Sequence, residues 1–436
     1  MRPVVVLGTG MAAFGAGYAL ERERVPFLCC DKNAYIGGHT VTFERDGFSF
    51  DEGGHISFTK DERIRDLLAE NVRGQFVELK LQIDNYWHGV RIRHPVQCNL
   101  NVLPPNLVVD ILKDFFVASH RGGESAIHNY AEWLHAAYGK TFADTFPIVY
   151  GRKYHTIAAD QMTTDWIGPR MYRPNLDEIL HGALVGQKQA AHYVDTFRYP
   201  VKGGFMAYLR PFAERYDVRL RHKLIALDPR ARVLCFENGV TLHYDVLISS
   251  IPLPDLISMI DGAPGKVREA ARTLAFTTTV LVNLGVDRDD LSDTHIRYFY
   301  DEDIIFPRIN FPHMFSPHNA PPGKGCIQAE VYFSDKYKPL RAPPESLVAP
   351  VVDDLRRCGI LRENDVLLFA ETRTIRYSNV IYDHYRREAL EIVHRYLDEI
   401  GVHYCGRYGC WDHAWTDEAF KSGENAARAA LASRHA

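Results

Sequence analysis

Residues 4–17 read VVVLGTGMAAFGAG, and residues 31–40 read DKNAYIGGHT. The first begins as an apolar run of the kind that forms a buried parallel strand, then gives a glycine turn and small residues suited to a close-packed helix. In Gly8-Thr9-Gly10-Met11-Ala12-Ala13 the first glycine permits a tight turn, and the second lets an anion approach the backbone at a helix N-terminus. The third position asks only for a small residue where helix and strand pack. Ala13 meets that need, and Gly15 and Gly17 keep the same helix face small. A second strand over residues 25–30 ends at Asp31, 23 positions after Gly8, where a carboxylate accepts ribose hydroxyls. Turn, helix and acid together predict a βαβ opening that holds a dinucleotide.

The remaining composition narrows the class. With 436 residues, two or three domains are expected; 46% hydrophobic and 24% charged residues and a net charge of −4 describe a globular protein with no basic excess for nucleic acid. No apolar run approaches the twenty residues needed to span a bilayer, and MRPVVVLGTG reads as a strand rather than a secretory signal. Eight cysteines without a CxxC pair read as reduced, mostly buried thiols, which predicts a cytoplasmic protein with no metal site.

Along the chain, residues 61–199 are mainly helical by periodicity, as in DERIRDLLAE, LVVDILKDFFVAS, AIHNYAEWLHAAYG and LDEILHGALVG, with a small hairpin, DNYWHGVRIRHPV, turning at His88-Gly89. LVVDILKDFFVAS is apolar enough to be core. Strands return with YDVRLRHKLIALD, ARVLCFENGVTLH and YDVLISSIPLP; TTTVLVNLGV, HIRYFYD, CIQAEVYF and DVLLFAETRTIRY follow, and a helix leads to the C-terminal glycine turn and a last helix. The order implies a nucleotide domain split into three pieces.

The second glycine pair decides between dinucleotides. Gly37-Gly38, shortly after Asp31, would let another loop fold onto the same pyrophosphate, and this resembles the FAD superfamily of amine oxidases, protoporphyrinogen oxidases, carotenoid desaturases and UDP-galactopyranose mutases. FSFDEGGHISFT at 48–59 is similar to the segment those families run past the isoalloxazine ring, and GGHISFT resembles the GPHIFHT of the mutases. YDVRLRHKLIALD resembles the strand that meets the adenine, with Leu224 near the contact, and GRYGCWDHAWTDEAFKSGENAA resembles the closing flavin motif. The resemblance implies an α/β fold: a discontinuous Rossmann-like FAD domain (1–60, 200–262, 396–436), a helical insertion (61–199) and a strand-rich substrate domain (263–395). It implies cofactor contacts at Gly8, Gly10, Met11, Ala12, Ala13, Asp31, Lys32, Gly37, Gly38, His39, Thr40, Gly53, Gly54, His55, Leu224, Ser249, Gly406, Arg407, Asp417, Glu418 and Ala419.

Two chemistries stay open within this resemblance. In a mutase, reduced FAD uses N5 on the anomeric carbon of a nucleotide sugar, which recloses with another ring size; in an oxidase, dehydrogenase or desaturase, oxidised FAD takes a hydride. IVYGRKYHTIAADQMTTDWIGPRMY (148–172) resembles the mutase substrate segment, which makes Tyr150 and Lys153 retained positions and Arg170 a phosphate arginine; RYFYDEDIIFPRIN offers Arg308 as a second. Guanidinium groups on either side are what a departing diphosphate requires. By the same match His55 lies against the flavin and donates toward O4 or N5, while Tyr298, Phe299, Tyr300, Tyr332, Tyr377 and Tyr382 supply hydroxyls and ring faces. The mutase tryptophan-glycine is replaced by His155-Thr156, and the SGENAA ending is closer to the oxidase branch, where a lysine stands by N5; Lys153 and Lys202 are the candidates. The favoured expectation is a small-molecule enzyme of the mutase type, acting on a nucleotide sugar in polysaccharide biosynthesis.

Overall fold

The opening strand, Val4–Leu7, lies at the centre of a five-stranded sheet, and all four of its side chains are buried. Phe27–Cys30 and then Asp217–Arg219 extend one side; Val246–Ser249 and Val402–Tyr404 extend the other, and every pair is parallel. Layers cover both faces of such a sheet, which is why the strand is apolar without alternation. The structure, a computed structural model, describes residues 3–120, 127–168, 171–186 and 194–435.

One of those layers is built by a close approach. The helix Met11–Arg22 packs along the C-terminal helix Thr416–His435. A Cβ on Gly15 would lie 2.1 Å from the Phe420 carbonyl oxygen, and one on Gly423 would lie 1.8 Å from that of Ala12. The small face therefore serves helix against helix at Gly15, whereas the sequence pointed it at the strand; Gly17 meets the rings of Phe27 and Tyr216.

A seven-stranded sheet forms the second body, in the order Leu367–Val380, Phe276–Val286, Gly325–Phe333, Arg308–Asn310, Ile296–Phe299, Ile83–Trp87 and Val90–Arg93. Its last two strands are the predicted hairpin, with His88 and Gly89 at positive φ in the turn. The hairpin was expected inside the helical insertion; instead Ile83–Trp87 pairs in parallel with Ile296–Phe299. That pairing spans more than two hundred residues, which local periodicity does not register. One face of this sheet is apolar: Val280, Val282, Ile309, Ile327, Ala329 and Val331 pack with Val351 and Leu355 of the helix Val348–Arg357.

Helices Pro105–His120, Tyr130–Tyr138, Lys140–Thr145, Pro147–His155 and Leu176–Leu184 share another core around Leu134, Phe142 and Phe146. Asn129 caps one of them, and Asn175 with Glu178 closes a capping box on another. The chain is thus a mixed α/β protein, with a parallel sheet and separate antiparallel sheets. Among the described residues no helix is long and apolar enough to cross a membrane.

Candidate functional site

Two glycine turns meet at the C-terminal end of the central strand. The Gly37 N–H donates to the Thr9 carbonyl at 3.1 Å, and a Cβ on Gly38 would lie 3.3 Å from Gly10 Cα. Gly37 and Gly38 have φ of +106° and +54°, a region that glycine enters freely. Backbone thus comes to backbone with no room for side chains, at the N-terminus of the helix that begins Met11-Ala12-Ala13. The Thr9 hydroxyl donates to Asp31 at 2.6 Å and the Asn33 N–H at 2.8 Å; burial raises the Asp31 carboxyl above its ordinary range against those two bonds. A bare-backbone cradle with an acid at the neighbouring strand end fits the pyrophosphate and ribose of FAD.

The other expected contacts divide into two groups. Thr40 donates its hydroxyl to Gly37, Gly406 donates its N–H to Ser422, and Leu224 is buried at the start of its strand; Lys32 is exposed beside Asp31. Ser249 accepts from the Ile251 N–H. Arg407 donates to the carbonyls of Ala414 and Ser378, which pins the turn over residues 411–415. Asp417 accepts from the Thr59 hydroxyl, Glu418 from the Trp415 N–H, and the Ala419 N–H reaches the Trp415 carbonyl. Both acids are therefore engaged at the helix terminus itself.

His55 follows Gly53 and Gly54, and its Nδ1 lies 3.0 Å from the Gly53 carbonyl oxygen. A carbonyl only accepts, so Nδ1 carries the proton. Burial, reinforced by Arg407, lowers the pKa of the ring to about 4. A neutral imidazole has one N–H, and here it is spent on Gly53. Nε2 is a lone-pair acceptor, which corrects the expectation of a donor toward O4 or N5. Beside it, Glu52 accepts from His39 Nδ1 at 3.0 Å and from Arg373 Nε at 2.9 Å, and the His39 ring meets Tyr408.

The depressed His55 pKa carries a sign. Its stability contribution is complete above the ordinary pKa of 6.5 and is lost as pH falls toward 4, as much as about 3 kcal/mol at ~1.4 kcal/mol per unit. Melting temperatures of the wild type and His55→Gln across this window will show a shallower acid loss in the variant; parallel curves would contradict the assignment.

The polar face of the seven-stranded sheet looks onto residues 51–55 and the helix Pro147–His155. Gln328 donates to the Asp51 carbonyl at 2.9 Å and to Asn283 at 3.0 Å, Asn310 donates to Gln328 at 3.1 Å, and Gly54 abuts Asn310. One step along, Glu330 Oε2 accepts from Arg308 Nε at 2.9 Å and Nη2 at 2.7 Å and from the Tyr332 hydroxyl. Burial opposes the Arg308 charge most strongly, but Glu330 together with Tyr332, Tyr154 and Tyr150 outweighs it and holds the pKa well above the usual value. Tyr154 covers this pair, with its ring 5.9 Å from the guanidinium and 4.7 Å from Tyr332, and Tyr150 stacks on Tyr154 and meets Tyr298 and Tyr300. Burial pushes the Tyr150 hydroxyl well up, so it stays protonated.

The structure thus brings Tyr150, Tyr298, Tyr300, Tyr332 and Arg308 together. It does not place three other expected residues with them. Phe299 is on the opposite, apolar face, Tyr377 donates to Asp255 within a core, and Tyr382 donates to Asp412, accepts from the His413 N–H and lies under Arg386. Strand alternation turns Phe299 away, and Tyr382 anchors the 411–415 turn. Arg170 lies outside the described residues. Lys153 donates to the carbonyls of Phe299 and Asp301 and is brought down to about 7 by burial, while Lys202 is exposed. Glu330, Tyr154, Gln328 and Asn310 escaped the sequence reading, although I-Q-A-E-V-Y at 327–332 alternates apolar and polar.

Comparison with known proteins agrees with this geometry. The family model described as flavin containing amine oxidoreductase matches residues 17–431. A crystal structure of reduced UDP-galactopyranose mutase superposes with a TM-score of 0.92 at 23% identity, covering 99% of this chain and 96% of that one. A putative protoporphyrinogen oxidase from Exiguobacterium sp. 255-15 gives 0.73 at 16% identity over 98% of each chain, and wild-type putrescine oxidase bound to putrescine gives 0.66 at 16% over 99% of each. At these identities the likeness is one of fold.

Proposed function

The chain belongs to the family of flavin-containing amine oxidoreductases and takes FAD, and from that premise we propose that it is a mutase that interconverts ring forms of a nucleotide-linked sugar. The observation that carries this reading is the polar sheet face, where Arg308, Glu330 and Tyr332 stand under a wall of tyrosines. A polyhydroxylated, anionic ligand suits such a surface; an alkyl chain does not.

Bound and reduced, FAD supplies a nucleophile for the anomeric carbon. Arg308 holds the diphosphate through its departure and return, with Arg170 as the proposed second cation. Glu330 fixes Arg308 through Nε and Nη2, so Nη1 is left for a phosphoryl oxygen. Tyr150, Tyr154, Tyr298 and Tyr300 offer ring faces and hydroxyls that keep the opened sugar in place and water out. His55 offers Nε2 as an acceptor. Of the two lysines the oxidase reading would need, Lys153 donates to the carbonyls of Phe299 and Asp301 and Lys202 is exposed.

The test is to reduce the purified yellow protein with dithionite and offer nucleotide sugars. Ring interconversion that depends on the reduced flavin and consumes no oxidant is the expected result. Turnover that consumes oxygen or another acceptor would assign the oxidase chemistry instead.

A further inference from the structure

Three amides form a chain across the polar sheet face. Asn283, Gln328 and Asn310 lie side by side through the register of the strands Phe276–Val286, Gly325–Phe333 and Arg308–Asn310. One backbone carbonyl sets the direction of the whole chain. Gln328 Nε2 lies 2.9 Å from the Asp51 carbonyl, which only accepts, so the Gln328 amide turns its NH2 to Asp51 and to Asn283 Oδ1, and its oxygen to Asn310. Asn310 must then donate, through Nδ2 at 3.1 Å. Its own oxygen is left over: Asn310 is 1% exposed, and Oδ1 meets no hydrogen-bond donor among the described residues. A flip of the amide gives no relief, because it would bring the oxygens of Asn310 and Gln328 together.

The neighbours of that oxygen have the same polarity. Glu330 Oε1, two residues along from Gln328, is likewise buried without a partner, and His55, whose ring proton is held at Gly53, offers only the lone pair of Nε2. Acceptors thus gather between Arg308 and residues 53–55, and they call for a ligand that brings hydrogen-bond donors. Arg308 precedes Asn310 by two residues on the same sheet face, roughly 7 Å along the strand, and a Cβ on Gly54 would lie 3.4 Å from Asn310 Nδ2. A nucleotide sugar with its diphosphate on Arg308 and its anomeric carbon at the flavin lays its ring across that interval.

We propose, on the nucleotide-sugar reading above, that Asn310 is the specificity-determining residue of the sugar site, its Oδ1 accepting a hydrogen bond from one hydroxyl of the sugar. The direction of this bond defines the sugar class. A neutral sugar with that hydroxyl free is taken; its deoxy analogue leaves the buried oxygen unpaired, and a uronate sets a carboxylate among acceptors.

The test is calorimetric binding to the FAD-loaded full chain, kept oxidised so that no turnover intervenes, of UDP, UDP-galactose, its monodeoxy analogues and UDP-galacturonate. Asn310→Leu is expected to bind UDP as the wild type does and UDP-galactose roughly 10–100-fold more weakly. One monodeoxy analogue will bind the wild type more weakly than UDP-galactose by a similar factor, and the variant will no longer tell the two apart, which is the signature of direct coupling. UDP-galacturonate will bind the wild type more weakly than UDP-galactose. Where Asn310→Leu loses flavin, Asn310→Thr, whose hydroxyl still donates to Gln328, is read in its place. Equal discrimination of every analogue by wild type and variant would overturn the assignment alone, even with ring interconversion observed. So would a flavin midpoint potential moved by Asn310→Leu with sugar discrimination unchanged, which gives the oxygen to the cofactor. A wild type that binds neither UDP nor UDP-galactose overturns the nucleotide-sugar reading and this assignment with it.

Discussion

Gly15→Ala is expected to lower the melting temperature by about 3 °C and to strip flavin from the protein. Elsewhere in a helix the same change stabilises, by about 0.5–1 kcal/mol, because alanine has less freedom to lose. Here the new Cβ would lie 2.1 Å from the Phe420 carbonyl oxygen, a backbone atom that no rotamer change can move aside. Overpacking of this kind costs about 3 kcal/mol, and at ~2.1 cal/mol/K of unfolding entropy per residue each kcal/mol is worth about 1 °C in a chain this long. The flavin is lost as well, since the displaced helix carries Ser422, which holds Gly406, and Asp417 and Glu418 at its start. Thermal unfolding and the ratio of flavin to protein absorbance measure both effects. An unchanged or raised melting temperature would reject the close helix contact.

Arg308→Ala is the second large effect. Removing the guanidinium leaves the Glu330 carboxylate, with 1% of its surface exposed, without a counter-charge, which costs about 3–5 kcal/mol of stability. If Arg308 also holds the diphosphate, kcat/KM falls ~10²–10³-fold on top. Pairing Arg308→Met with Glu330→Gln separates the two: stability returns and activity does not. A double variant with wild-type kcat/KM would remove Arg308 from the substrate site. Arg308→Lys will fall between, because an ammonium cannot make the forked contact with Glu330 and a phosphate together.

What the sequence discloses is chiefly what the backbone must do locally. The turns at Gly8 to Gly10 and at Gly37-Gly38 are legible because their spacing and lack of side chains are the function, and Asp31 confirms them two strand-lengths on. Arg308 is legible as a cation, but the meaning of its charge depends on Glu330, 22 residues away, facing it only through the antiparallel register of two strands. Tyr382 and Tyr377 look like Tyr150 in the sequence; only packing shows that their hydroxyls end on Asp412 and Asp255. His55 is placed by motif, yet whether it gives or accepts a proton follows from a carbonyl two residues back and from burial.

The contact between the first helix and the last also sets an order of events during synthesis. Gly15 waits for Phe420, about 400 residues downstream, and at roughly 5–20 residues per second the ribosome needs some tens of seconds to deliver it. The sheet is likewise incomplete until residues 402–404 arrive. The nascent chain therefore carries a bare glycine face and an open cofactor cradle for most of its translation, and a ribosome that stops short of the last helix releases a chain unable to retain its flavin.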